Sequence, residues 1–167
     1  MDMHCEPTQP CSKRVLIVDD EQAIREIFTE ILQTTGWTVD AAASADEAMV
    51  LYSTNNYDLL LFDYAMPGVD GGQLHRSLSE SFGYGRRVSS AMPPRMPPVL
   101  FVTGYYDCDE VQKLVFGERT VGVVRKPVSC KKLTELAQEL YDFEAQRRER
   151  RVKAISRISG RLTRTSA

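Results

Sequence analysis

Three uninterrupted apolar runs constrain this chain more than any other feature: Val15-Leu16-Ile17-Val18, Leu59-Leu60-Leu61-Phe62 and Val99-Leu100-Phe101-Val102. A strand with one wet face alternates apolar and polar residues. A run with no alternation suits a strand covered on both faces, the signature of a parallel sheet. Between the runs the period changes. Ile24, Ile27, Phe28, Ile31 and Leu32 recur at three- and four-residue steps, one apolar stripe on a helix that Gly36 should end. Trp37–Ala43 reads as a second strand. Ser44 with Glu47 three residues on is a capping box opening a helix over Ala45–Ser53. Asp58–Asp63 is the third strand, Gln73–Ser81 a short helix and Val99–Gly104 the fourth strand. Glu110–Phe116 is a helix, Val121–Val124 the fifth strand, and Leu133, Leu136, Ala137 and Leu140 mark the last helix. Parallel strands need crossovers, and right-handed ones place helices on both sides. The expected fold is therefore α/β: a doubly wound five-stranded parallel sheet with helices on both faces.

A chain of 167 residues holds one such domain. The organisation reads as a flexible leader over 1–12, a domain over 13–145 and a basic C-terminal tail over 146–167. Within the domain, 82–98 is an extended loop with four prolines and three arginines. A connection that long is commonly functional, yet a tolerated insertion fits equally. No stretch approaches the roughly 18 apolar residues of a membrane span. The first residues lack a basic segment followed by an apolar block, so a cytoplasmic location is expected. Cys5, Cys11, Cys108 and Cys130 form no CxxC pair. His4, Cys5 and Cys11 lack a metal site's fourth ligand at sensible spacing, and the cysteines read as reduced thiols. The tail carries eight basic residues against Glu149, a net +7, which leaves −9 on residues 1–145 of a chain whose total is −2.

In an open parallel sheet, ligands bind beyond the carboxyl ends of the strands. Those ends supply Asp19 and Asp20 from the first strand, Asp63 from the third, Thr103 from the fourth and Lys126 from the fifth. Carboxylates gathered this closely repel one another unless a cation intervenes. Mg²⁺ suits such a set, because it takes a few carboxylates and accepts phosphoryl oxygens. Asp63 is then both a ligand and a nucleophile able to form an aspartyl phosphate. Lys126 would neutralise charge on phosphoryl oxygens, and Thr103 would donate a hydrogen bond to one.

Together, Asp19-Asp20 after a strand, Asp63 before Tyr-Ala-Met-Pro-Gly-Val-Asp-Gly, Thr103-Gly104 and Lys126-Pro127 resemble the response-regulator receiver family, over about Lys13–Tyr141. The resemblance implies the flavodoxin-like receiver fold, with Asp63 as phosphoacceptor and Asp20 as direct Mg²⁺ ligand. Asp19 is its partner, the main-chain carbonyl of Ala65 completes the metal set, and Thr103 is a switch hydroxyl. Lys126 is the active-site lysine, its bond to Pro127 typically cis. It further implies a module, not an enzyme with its own substrate. A histidine kinase or histidine phosphotransfer protein would donate the phosphoryl group, and output would pass by protein contact. Val123 stands where many receivers carry the Tyr or Phe that swings inward on activation, so the aromatic readout is in question. Tyr105 and Tyr106 read as ordinary half-buried loop aromatics.

Two alternatives remain: a degenerate receiver serving as a phosphorylation-independent docking module, and an aspartate-nucleophile phosphatase similar to the haloacid dehalogenase family. The second departs from its pattern, since Glu21 rather than an aspartate lies two residues after Asp19. Asp46, Asp58, Asp70, Asp107 and Asp109 read as caps, turns and solvated surface, and His4 and His75 as solvent-facing. The tail is open between nucleic-acid, membrane-surface or acidic-partner contact, an extension of the last helix, and a solvated terminus. Without interleaved aromatics or room for a helix-turn-helix, nucleic acid is the weaker reading.

Overall fold

The computed structural model describes residues 13–84, 96–104 and 121–162, with backbone alone for 81–84 and 155–162. These residues form five strands, β1 (Arg14–Val18), β2 (Thr38–Ala42), β3 (Leu59–Asp63), β4 (Val99–Thr103) and β5 (Val121–Arg125). Their helices are α1 (Gln22–Thr34), α2 (Ala45–Thr54), α3 (Gly71–Tyr84) and α4 (Cys130–Leu162). The strands lie in one parallel sheet in the order β2-β1-β3-β4-β5. The helix expected over Glu110–Phe116 lies outside the described residues.

Strand alternation sorts the core into two layers. Leu16, Val18, Leu60, Phe62, Val99 and Phe101 face one side, where α2 adds Ala48 and Tyr52 and α3 adds Leu74 and Leu78. Val15, Ile17, Leu59, Leu61, Leu100 and Val102 face the other, against Phe28 and Leu32 of α1 and Leu133 and Ala137 of α4. β3 and β4 are buried along their whole length, which is why their runs are unbroken. Edge strand β2 is only partly buried and keeps Thr38 and Asp40. On β5, a Cβ at Gly122 would come within 3.1 Å of Leu100 Cδ1 and 3.2 Å of Leu140 Cδ1. The missing side chain lets α4 pack close to the sheet edge.

The capping box placed the start of α2 correctly. Ser44 Oγ accepts the Glu47 N–H, although Glu47 Oε2 returns to the N–H of Ala43 rather than to that of the cap residue. Asp70 Oδ1 accepts from the N–H of Gln73 and caps α3, one of the roles open to the aspartates read as caps, turns and solvated surface. Other expectations need correction. Ile27, counted in the α1 stripe, is 50% exposed, because it lies at the stripe's outer margin while Phe28 and Leu32 point into the core. His75 is buried, not solvent-facing: it follows Leu74 on the inner side of α3 and meets the Phe101 ring edge-on at 6.0 Å. The helix read as Gln73–Ser81 is 14 residues long, starting at Gly71 and ending at Tyr84. The 82–98 stretch therefore begins inside a helix. At its other end Pro97 and Pro98 are buried, and the Pro98 carbonyl accepts from the Leu60 N–H at 2.9 Å. Residues 85–95 lie outside the described residues.

Asp58, grouped with the caps, turns and solvated surface, joins three elements. Its Oδ2 accepts from the Arg14 N–H, its own N–H donates to the Arg14 carbonyl, and its Oδ1 lies 3.7 Å from Arg148 Nη1 on α4. α4 itself runs unbroken for 33 residues and takes residues 146–162 into the helix that begins at Cys130.

Candidate functional site

The strand order reverses between β1 and β3, and at such a switch point the neighbouring crossovers leave in opposite directions and open a crevice. Asp19 follows β1 directly, and Asp63 is the last residue of β3. Both are buried, whereas Asp20 is exposed at the rim. One oxygen of each buried acid is held by local backbone: Asp19 Oδ1 accepts from the Glu21 N–H at 2.9 Å, and Asp63 Oδ1 from the Ala65 N–H at 3.1 Å. The other oxygen of each is held by one ammonium. Lys126 Nζ donates to Asp19 Oδ2 and to Asp63 Oδ2, both at 2.9 Å. The Lys126–Pro127 peptide is cis, and the Lys126 N–H donates to the Thr103 carbonyl at 2.8 Å, which ties the end of β4 to the loop after β5. Thr103 is fully buried, Ala65 is exposed and Val123 is half-buried against the core layer of β3 and β4.

The charges are unbalanced, three carboxylates facing one lysine. Burial is the main influence on Asp19 and raises its pKa. The Lys126 hydrogen bond, the Glu21 N–H and the lysine charge oppose that effect without cancelling it, and the Asp63 charge adds to it. Burial by itself would lower the Lys126 pKa, but hydrogen bonds and charge from Asp63 and Asp19 outweigh it and the pKa rises.

One carboxylate oxygen from each of Asp19, Asp20 and Asp63 lies within 4.8 Å of the others. Oxygens around a cation bound at about 2.1 Å are at most about 4.2 Å apart, so this set suits one small hard ion with little adjustment. Among the described residues no other trio of acidic, histidine or cysteine side chains converges in this way. His4, Cys5, Cys11, Tyr105, Tyr106, Asp107, Cys108 and Asp109 lie outside the described residues. Cys130 is an exposed free thiol at the start of α4.

Two contributors were not singled out from the sequence. Arg25 Nη1 donates to the carbonyls of Asp19 at 2.7 Å and Asp20 at 3.0 Å, fixing the loop that carries both acids. As one charged residue on an amphipathic helix, it gave no signal. Gly71 brings α3 against the end of β3. Its N–H donates to the Tyr64 carbonyl at 3.0 Å, and a Cβ there would collide with the backbone carbonyl of Asp63. The adjacent Gly71-Gly72 pair was the available clue.

Comparison with known proteins agrees with this geometry. The response regulator receiver domain family matches residues 15–138. The chain is 39% identical over 67 residues to the transcriptional regulatory protein ResD of Bacillus subtilis (strain 168), covering 40% of this chain and 28% of ResD. It is 30% identical over 135 residues to the sensor kinase CckA of Brucella abortus (strain 2308), covering 78% of this chain and 13% of CckA. The chain thus spans less than a third of the length of either relative. Among solved structures, a CheY-like response regulator receiver domain protein from Methanospirillum hungatei JF-1 superposes with a TM-score of 0.67 at 28% identity, covering 81% of this chain and 98% of that one. With the family matched across its sheet and acidic crevice, this chain belongs to the response regulator receiver domains.

Proposed function

We propose that this chain accepts a phosphoryl group on Asp63 in a two-component phosphorelay, with a histidine kinase or a histidine phosphotransfer protein as donor. The observation that carries the reading is the hold on Asp63: Lys126 on one oxygen, the Ala65 N–H on the other, and two further acids within 4.8 Å. Asp63 ends a buried central strand, so its carboxylate is aimed before any donor arrives, and orientation of that kind lowers the barrier to transfer. The transfer forms a bond between an Asp63 carboxylate oxygen and phosphorus as the donor's phosphorus–nitrogen bond breaks, and the electron pair leaves with the imidazole.

Asp19, Asp20 and Asp63, with the Ala65 carbonyl, would hold Mg²⁺, which when bound neutralises carboxylate and phosphoryl charge. Lys126 supplies the protein's own positive charge beside the acceptor oxygen. An ammonium shared between Asp19 and Asp63 can follow the negative charge as it moves onto phosphoryl oxygens. The Thr103 hydroxyl at the end of β4 is the group we assign to report the modification, by hydrogen bonding to a phosphoryl oxygen. Its backbone link to Lys126 then joins the loops after β4 and β5 in one response. Val123 supplies no ring to follow that movement. We infer output through contact with a protein partner, in the cytoplasm.

Incubation with Mg²⁺ and acetyl phosphate, followed by mass spectrometry of the intact chain, tests the proposal. The expected result is a single adduct that hydroxylamine removes, absent from Asp63→Ala and absent in EDTA. Steady release of inorganic phosphate that depends on Asp19 would indicate a phosphatase instead, and no adduct under any condition would indicate a docking module.

A further inference from the structure

The outer line of α4 has an order in its charges that the receiver function does not use. Positions 135, 139, 142, 146, 150, 153, 157 and 161 follow one another at steps of three and four, so they form a single line along the helix. Read from its start, that line is Glu135, Glu139, Asp142, Gln146, Arg150, Lys153, Arg157 and Arg161: three acids, one neutral residue, four bases. The described side chains among them, from Glu135 through Lys153, are all exposed. Their intrahelical ion pairs are long and exposed, Lys131 with Glu135 at 3.8 Å and Glu149 with Lys153 at 3.7 Å, while Asp142 accepts from the Gln138 side-chain amide at 2.8 Å. The acidic half also walls an open groove of about 410 Å³ between the end of α1 and α4, lined by Thr35, Thr134, Glu135, Gln138, Glu139 and Asp142.

We propose that α4 pairs antiparallel with α4 of a second copy of this chain. A two-fold axis level with Arg148 sets position 139 of one copy against 157 of the other, 135 against 161, and 142 beside 153. Every acid of the line then faces a base, and the arrangement is self-complementary, as a two-fold interface requires. Parallel pairing would set like charges together, so charge alone selects the direction. The basic half of each helix lies along the acidic groove of the other.

A flat anionic surface fits less well. Positions 152, 155, 158 and 162 continue the face of α4 that Ala137, Leu140 and Tyr141 pack onto the sheet, so the domain stands on the side that would have to approach a membrane. A nucleic acid would match the bases and leave the three acids opposed to phosphate.

Sedimentation equilibrium on the full chain tests the pairing. The wild type should be dimeric in about 0.05 M NaCl and lose at least tenfold in affinity near 0.5 M, where screening is much shorter in range. E135K/E139K and R157E/R161E should each be monomeric, with far-UV circular dichroism confirming that helix content is kept. Mixed together they should form a heterodimer, and the quadruple variant carrying all four changes should regain the homodimer. The proposal fails if the wild type is monomeric at about 1 mM in low salt. It fails equally if either charge-reversed variant still dimerises, or if the mixed variants ignore each other. A monomer that binds anionic vesicles or duplex DNA through the arginines would also overturn it.

Discussion

Replacing Lys126 with methionine should destabilise the metal-free protein by about 2–3 kcal/mol at pH 7. The structure sets the size. Nζ lies 2.9 Å from both Asp19 Oδ2 and Asp63 Oδ2, whose side chains are 0% and 6% exposed. Methionine keeps most of the volume and removes the charge, leaving two buried carboxylates, each with one oxygen stripped of its partner. Breaking a buried ion pair from one side costs roughly 3–5 kcal/mol. Lys126 is 20% exposed, so water reaches the gap, and the lower figure is appropriate. The pH dependence follows from Asp19. Burial already raises its pKa with the lysine present, and removing the ammonium deletes the main opposing influence. A carboxyl group whose folded pKa lies above its unfolded value of about 3.9 binds protons more tightly when folded. The penalty is thus full above the folded pKa and fades as pH falls through it. Urea unfolding in EDTA at pH 7 and pH 5 reads both effects, and Asp63→Asn added to Lys126→Met should restore part of the loss, since Asp19 stays buried without the ammonium. The reasoning is refuted if the variant lies within about 0.5 kcal/mol of wild type at pH 7, or if its deficit grows in acid.

Three further outcomes are expected. Asp20→Asn should weaken Mg²⁺ binding, followed by titration calorimetry, while leaving metal-free stability within about 0.5 kcal/mol, because Asp20 is exposed. Equal loss of both would mean that the acid is structural. Asp40 is the opposite electrostatic case. Burial alone would raise its pKa, but hydrogen bonds from Arg14 and Tyr57, both 2.8 Å, and the Arg14 charge hold it below the usual range. Its stabilisation is present above the unfolded value of about 3.9 and is lost as pH falls through the lower folded value. Asp40→Asn should therefore cost about 1 kcal/mol in urea unfolding at pH 7, Arg14 and Asp40 being partly exposed, and progressively less as pH falls through the lowered folded value. Gly71→Ala should cost about 1–3 kcal/mol by the same assay, since its Cβ meets the Asp63 carbonyl, whereas Gly104→Ala, whose Cβ meets no atom of the described residues within 4 Å, should be near neutral. Equal effects would show that α3 shifts freely.

Local pattern carried a large share of the result. Unbroken runs such as Leu59–Phe62 announce strands buried on both faces, because burial on both sides removes the need for polar alternation. The acids at the ends of β1 and β3 could be assigned to one crevice because parallel strands all deliver their carboxyl ends to the same edge. What sequence left undecided depended on neighbours far along the chain. Lys126 is 107 residues from Asp19 and 63 from Asp63, and no local rule states that one ammonium bridges both acids. Arg25 acts through backbone carbonyls, which carry no side-chain signature. His75 is buried and Ile27 exposed because each depends on which side of its helix meets the sheet. The sequence alone thus determined the order of elements and the residues offered at the strand ends, both set by short-range periodicity. Tertiary packing decided which of those groups touch, which lose water and how their charges are shared, since only the closed fold brings distant residues within hydrogen-bond reach.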